Sequence, residues 1–273
     1  MYQFTHHYKP NRMNTVIVPV DFSDTSLNAA RYAVKLLSGH PGVEMILYHM
    51  FTKANEEENS IENIENLKNE LSQNDSINIT TYTEQGGDFV DELEKLTRHR
   101  EADLVIMGIT GRSSLQQIFM GSNALKMAEN KFCPVMIIPP NCQFRDVKNV
   151  LLTSDLKNVV STTPSVPIKK VLKTFQCNLH VINVNEDTYI VLSEEHENEK
   201  EKLRKMFEEF NPEFYFLRLF DVDEAINEFA NDKSIDLIIN VQKEHSRFHR
   251  FFKSSHTKAL AYQSTIPVLV VHE

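Results

Sequence analysis

"EADLVIMG", residues 101–108, is an acidic turn running into a continuous apolar stretch. Such a run, with β-branched residues inside it, suits a strand buried on both faces of a parallel sheet. The pattern returns as "SIDLIINV" at 234–241, a spacing of 133 residues. "CPVMIIPP" at 133–140 returns at the same spacing as "IPVLVVHE" at 266–273. A third landmark, "NTVIVPVDFSD" at 14–24, recurs as "KNVLLTSDLKN" at 148–158, and is read with the same offset. Three apolar landmarks repeated in one order imply two copies of a single unit. The expected domains are 13–140 and 147–273, with residues 1–12 as a tail outside the repeat. The connection "PNCQFRDVK" is short and polar, so the two domains should sit against each other.

Within the first unit, strand-like and helix-like stretches alternate. Val16 to Val20 reads as a strand. Ser23 or Asp24 can cap a helix carrying Leu27, Ala30, Val34 and Leu37, and Gly39 stands just past its end. "VEMILYHMF" is a second strand. Residues 56–74 keep one apolar stripe through Ile61, Ile64, Leu67 and Leu71, as a surface helix does. "INITTYT" is a third strand. Asp88 can cap a helix bearing Phe89, Leu93 and Leu96. "DLVIM", a helix over 122–131 and "PVMII" complete the unit. The second unit repeats the order, with a charged helix over 194–210 whose apolar face is Leu203, Met206, Phe207 and Phe210. Alternation of this kind implies an α/β fold: in each unit, a five-stranded parallel sheet with helices on both faces.

Composition removes several function classes. The formal charge of −9 argues against a nucleic-acid surface. No apolar run is long enough to cross a bilayer, and "MYQFTHHYKPNR" lacks the apolar core of a signal peptide, so a cytoplasmic location is expected. Cys133, Cys142 and Cys177 share no close spacing and read as small buried thiols rather than a disulfide framework or zinc site.

The chemistry concentrates after "DLVIM". "MGITGRSSLQQIFMGSN", residues 107–123, holds three of the seven glycines. Open parallel sheets bind ligands beyond the carboxyl ends of their strands. Gly108 can turn with positive φ, and Gly111 lets backbone approach a ligand closely. Gly121 and Ser122 are expected to open the next helix, where free N–H groups favour an anion. Arg112 can add positive charge. Asp21, at the end of the first strand, could accept hydrogen bonds from a ribose hydroxyl or an adenine amino group, or could cap the helix that follows. There is no GxxxxGK[ST], and no GxGxxG follows the first strand.

These residues resemble the universal stress protein family in its tandem two-domain form. The G-x2-G-x9-G-[ST] spacing is met by Gly108, Gly111, Gly121 and Ser122, and "VPVDFSDTS", "ILYHMF" and "CPVMIIP" accompany it in order. The resemblance implies a Rossmann-like fold of the adenine nucleotide alpha hydrolase-like kind in each unit, and a stress or signalling module holding ATP or a related adenine nucleotide. By position it implies Asp21 at adenine or ribose with Pro19 beside it, and the main chain of Met50 at the adenine edge. Met107 and Gly108 would lie near the sugar, and Gly111, Arg112, Gly121, Ser122 and Asn123 around the phosphates. Magnesium would accompany the phosphates without an evident carboxylate ligand. The resemblance also implies pairing of the two domains through their last strands, and leaves room for a homodimer of whole chains.

The second unit departs from this pattern. At an offset of 133, Val241 replaces Gly108, Glu244 replaces Gly111, Ser254 replaces Gly121, Ser255 keeps the hydroxyl of Ser122, and Asp21 falls on Ser154 with Asp155 one step along. Glu244 opposes a triphosphate and Val241 resists positive φ, so one nucleotide site per chain is expected, in the first domain. His245 and His249, four apart with His256 near, could share a helix face as metal ligands, although no cysteine or carboxylate completes a set. Two other readings stay open. One is a scaffold of paired domains without nucleotide. The other is a slow ATPase or an adenylating enzyme, against which the glycine-free "DFSDTS" counts, since related enzymes carry a Gly- and Ser-rich loop there.

Overall fold

The computed structural model describes residues 12–73, 77–109, 118–140, 142–185, 193–218, 222–243 and 265–273; for 118–122, 184–185, 218, 222–225 and 227 it describes the backbone alone. The first half runs β1 (Thr15–Pro19), α1 (Asp24–Leu37), β2 (Glu44–Phe51), α2 (Glu57–Ser72), β3 (Asn78–Gln85), α3 (Phe89–His99), β4 (Leu104–Gly108), α4 (Ile118–Glu129) and β5 (Val135–Ile138). The second runs β6 (Asn149–Thr153), α5 (Val159–Thr162), α6 (Ser165–Phe175), β7 (Asn178–Asn185), α7 (Glu194–Met206), β8 (Glu213–Arg218), α8 (Val222–Asp232), β9 (Leu237–Gln242) and β10 (Val268–His272).

All ten strands form one sheet, in the order β3-β2-β1-β4-β5-β10-β9-β6-β7-β8. Pairing is parallel throughout except at the centre, where β10 lies antiparallel to β5 with Leu269 opposite Met136. The two halves therefore join through their last strands, as expected. Central strands are buried on both faces; β4 is buried at every position. One apolar cluster takes α1, α2, α6 and α7 onto the same face of the sheet and spans both halves, through Ala33, Ile64, Ile168 and Leu203. The other face is covered by α3, α4 and α8 through Leu93, Ala124 and Ile226. In each half the strand order reverses between the first and fourth strands, which is where an α/β sheet opens a ligand crevice.

Local chemistry fixes the ends of the elements. The Ser23 side chain caps α1 by accepting from Ser26 N, and Asp88 caps α3 by accepting from Val90 N and Asp91 N. Gly39, with φ of 83°, follows the C-cap of α1, a conformation glycine adopts without a Cβ penalty.

Hydrogen-bonding register corrects the repeat offset. Val16 faces Leu104 and Met45, while Val150 faces Leu237 and Leu179. From 104 to 237 is 133 residues, but from 16 to 150 and from 45 to 179 is 134. The first two strands of the second half are thus one residue further along than a single offset allows, and the partner of Asp21 is Asp155, not Ser154. Two local features agree. Asp21 Oδ1 accepts from Ser23 N as Asp155 Oδ1 does from Lys157 N, and Phe22 and Leu156 both have left-handed φ, of 62° and 51°.

Candidate functional site

In the first half, the tips of β1, β2 and β4 lie where the strand order reverses. Val20 N donates to Tyr48 O of β2. Since backbone N–H groups alternate sides along a strand, the next position back, Pro19, would direct its N–H towards β4. Proline has none. Paired residues between β1 and β4 stop at Ile17 and Val105, although the strands continue to Pro19 and Gly108. Pro19 thus removes one rung of the ladder at this strand tip.

Asp21 lies just past this point and is exposed. Its Oδ1 accepts from Ser23 N at 3.0 Å and Ser23 Oγ at 2.6 Å, while Asp21 N donates to Ser26 Oγ at 3.3 Å. The carboxylate is held by a local turn but does not itself cap the helix; Ser23 does. Among the described residues no donor reaches Oδ2.

Gly108 ends β4, and its φ is not positive: among the described glycines only Gly39 has that conformation. The expected left-handed turn is replaced by a steric requirement. A Cβ on Gly108 would lie 2.3 Å from Thr25 O and 2.7 Å from Thr25 C, in the first turn of α1. Glycine is needed there because the helix amino terminus is packed directly onto the strand tip. Met107 is wholly buried in the core, so only its main chain can reach the crevice. Met50 is half-buried at the end of β2, with its side chain against Gly86, where a Cβ would meet Met50 Sδ at 2.7 Å.

Of the phosphate residues, Gly111 and Arg112 lie outside the described residues. α4 begins at Ile118, four residues earlier than read from the sequence. Gly121, Ser122 and Asn123 therefore sit inside its first two turns rather than at its opening, and Asn123 is half-buried. His245, His249 and His256 fall outside the described residues; among the described ones no group of three metal-ligating side chains exists. All three cysteines are buried thiols outside any disulfide. Burial pushes the Cys142 thiol up to about 11 and the Cys177 thiol to about 12, so both are inert at neutral pH.

Sequence reading missed His49 and Phe22. His49 Nδ1 lies 2.8 Å from Val20 O, and its ring is 4.8 Å from that of Phe22. Together they lie at the tips of β1 and β2, next to Asp21. The signal was the histidine inside an otherwise apolar "ILYHMF".

The corresponding place in the second half is closed. β6 and β9 pair up to their tips, Thr153 opposite Asn240. Thr153 occupies the register of Pro19 and restores the missing rung; its Oγ1 also donates to Asn240 Oδ1 at 3.0 Å. Lys243 turns back from the end of β9, and its Nζ lies 2.6 Å from Asp155 Oδ1 and 3.0 Å from Lys157 O. Lys243 is buried and Asp155 partly so, with side-chain exposures of 9% and 15%. The space left is about 10 Å³, too little for more than one water. Val241 stands where Gly108 stands, and the helix that follows β6 is broken: α5 is a single turn, followed by Pro164. Glu199 of α7 supplies its cap, Oε2 accepting from Val159 N at 2.7 Å.

A profile of the universal stress protein family matches residues 13–139 and 171–272. The chain belongs to the universal stress protein family. The match omits 140–170, the segment holding β6 and α5, where the second crevice is rebuilt. A universal stress protein of Methanocaldococcus jannaschii is 26% identical over 141 residues, covering 47% of this chain and 83% of that protein. Among solved structures, a universal stress protein from Archaeoglobus fulgidus aligns over 96% of this chain and 97% of its own, at TM-score 0.69 and 18% identity. A functionally unknown protein from Pseudomonas aeruginosa aligns over 96% and 93%, at TM-score 0.63 and 12% identity. At these identities the likeness shows the fold, a double α/β unit spanning nearly the whole chain.

Proposed function

We propose that this universal stress protein is a cytoplasmic stress or signalling module that binds ATP or a related adenine nucleotide in the first of its two domains, 13–140, and none in the second, 147–273. The observation that carries the reading is the contrast between two crevices of one fold. In the first, the paired residues of β1 and β4 stop at Ile17 and Val105, short of Pro19, and an exposed Asp21 carboxylate stands beside a helix amino terminus. The second is zipped by Thr153 and Asn240 and filled by Lys243.

The filled twin also indicates which chemistry suits its counterpart. At Asp155 the fold seats a nitrogen donor, the Lys243 ammonium, 2.6 Å from the carboxylate. At Asp21 a ligand would supply that donor, as an adenine amino group or a ribose hydroxyl does. The helix amino terminus behind Gly108 adds a positive dipole end for an anionic ligand. For magnesium, no described carboxylate cluster offers a seat, so any metal would be held mainly by the phosphates.

Calorimetric titration of the full chain with ATP tests this. The expected result is about one site per chain, weakened in Asp21→Ala, lost in Gly121→Glu and untouched in Asp155→Asn. Absence of binding at millimolar ATP, or a stoichiometry of two, overturns it.

A further inference from the structure

The two halves differ at a second place, at the opposite end of the strands from the Lys243 crevice. Asp103 and Asp236 precede β4 and β9, and do the same backbone work. Asp103 Oδ2 accepts from Asn14 N and Thr15 N at 2.7 and 3.3 Å; Asp236 Oδ2 accepts from Lys148 N and Asn149 N, both at 2.9 Å. Each carboxylate so anchors the start of its half's first strand. They diverge at the other oxygen. Asp103 Oδ1 receives the Lys170 ammonium from α6 of the other half, in a pair with side-chain exposures of 5% and 14%. In α1, the positions matching Lys170 are Leu36 and Leu37, both buried. Among the described residues Asp236 has no cation.

What Asp236 has instead is a cavity of about 350 Å³, between α1, the connection after β5, the end of α8 and the approach to β10. Tyr32, Asn231 and Asp236 line it, with Cys142 and Arg145 from the connection. Tyr32 is 4% exposed, and the edge of Phe144 packs on its ring with centroids 5.4 Å apart. Burial, with Cys142 and Asp236 nearby, raises its phenol well above the usual range, so it is a neutral hydroxyl that can donate and accept. The volume is at the small end of ligand pockets, and Pro19, Asp21 and Gly108 take no part in it.

We propose that this interdomain cavity binds a small molecule bearing a primary ammonium group, with Asp236 as its acceptor and the Tyr32 hydroxyl as a second partner. The chain itself supplies the precedent: the same carboxylate in the other half is satisfied by a lysine ammonium. Arg145, an exposed residue of the lining, gives an amino acid a seat for its carboxylate, whereas a diamine would use Asp236 without Arg145.

Calorimetry on the full chain with putrescine and with the standard amino acids separates the two sources. Saturable binding of either, weakened about tenfold or more in Tyr32→Phe and in Asp236→Asn, is the expected result. Binding of amino acids alone, lost in Arg145→Gln, assigns the zwitterion; binding of putrescine, unaffected by Arg145→Gln, assigns the simple amine. Tyr32→Phe keeps the ring packing and leaves the Asp236 anchor of β6 intact, so it reads the site even where Asp236→Asn folds poorly. No binding of either class at millimolar concentration, or binding unchanged in Tyr32→Phe, overturns the proposal. ATP titration is an independent readout, and its outcome does not bear on this one.

Discussion

Lys243 Nζ sits 2.6 Å from Asp155 Oδ1 and 3.0 Å from Lys157 O, at the strand tips that match Asp21 in the first half. Two buried charges taken from water are tolerated only while each satisfies the other. Lys243→Met should cost about 3–5 kcal/mol in urea unfolding, because it strands the Asp155 carboxylate. Adding Asp155→Asn should recover much of that loss, since asparagine still accepts from Lys157 N and carries no charge. Equal stability of the single and double variants would show that the pair is not coupled.

Gly108 and Val241 are counterparts that should not be interchangeable. A Cβ at Gly108 meets backbone, Thr25 O at 2.3 Å, and backbone of a helix start cannot swing aside as a side chain can. Gly108→Ala is expected to cost about 1–3 kcal/mol and to weaken ATP binding by displacing α1. Val241 is buried, so Val241→Gly should also destabilise, by about 1.5–3 kcal/mol, without opening a nucleotide site. Denaturation curves with ATP titrations check both; a neutral Gly108→Ala would refute the steric account.

Much of this was legible in the sequence, for reasons that differ by residue. Buried strands write themselves as apolar runs, and Ser23, Asp88 and Gly39 mark helix ends through side-chain chemistry that acts within a few residues. The pairing of the halves through their last strands was implied by the family resemblance. The offset of 134 in β6 and β7 was not legible, because apolar runs look alike when slid by one residue and only hydrogen bonds fix register. That slip hid the equivalence of Asp21 and Asp155. Lys243 was invisible as a plug because its partner is 88 residues away. Gly108 was rightly singled out, for the wrong reason: sequence shows that a side chain is excluded, not what excludes it.

His180 on β7 is buried with neither ring nitrogen hydrogen-bonded; Glu213 Oε2 is 3.7 Å from Nδ1. In register, Leu151 faces His180 as Ile17 faces Ile46, so the first half places isoleucine at this point. Desolvation lowers the His180 pKa below 6.5, outweighing Glu213. A histidine whose folded pKa is depressed contributes full stability above its unfolded pKa. That stability is lost as pH falls through 6.5 towards the folded value, because the unfolded chain binds the proton first. His180→Ile should gain about 1 kcal/mol near neutrality and more at about pH 5.5. Burial also lowers His40 and His272, so the variant should flatten the acid limb without abolishing it. Urea midpoints across this range decide it, and a variant with the wild-type pH slope would rule His180 out as a contributor.

Lys170 and Asp103 join the halves away from the central strands. Lys170 is on α6, Asp103 at the approach to β4, and the same helix accepts Met13 N on Thr174 Oγ1 at 3.2 Å. A pair this buried is little screened by salt, and removing one member leaves the other charge in low dielectric. Lys170→Met is expected to cost about 3–5 kcal/mol, with nearly the same loss at low and high ionic strength. Because the contact crosses between halves, it should also weaken their cooperativity, so the urea transition should broaden and its slope fall as the halves begin to unfold separately. Asp103→Asn in the same chain should restore stability, as the amide oxygen can still accept from Asn14 N and Thr15 N. Unfolding followed by both far-ultraviolet circular dichroism and tyrosine fluorescence tests the claim: coincident, steep transitions in Lys170→Met would mean the β5–β10 pairing alone couples the halves.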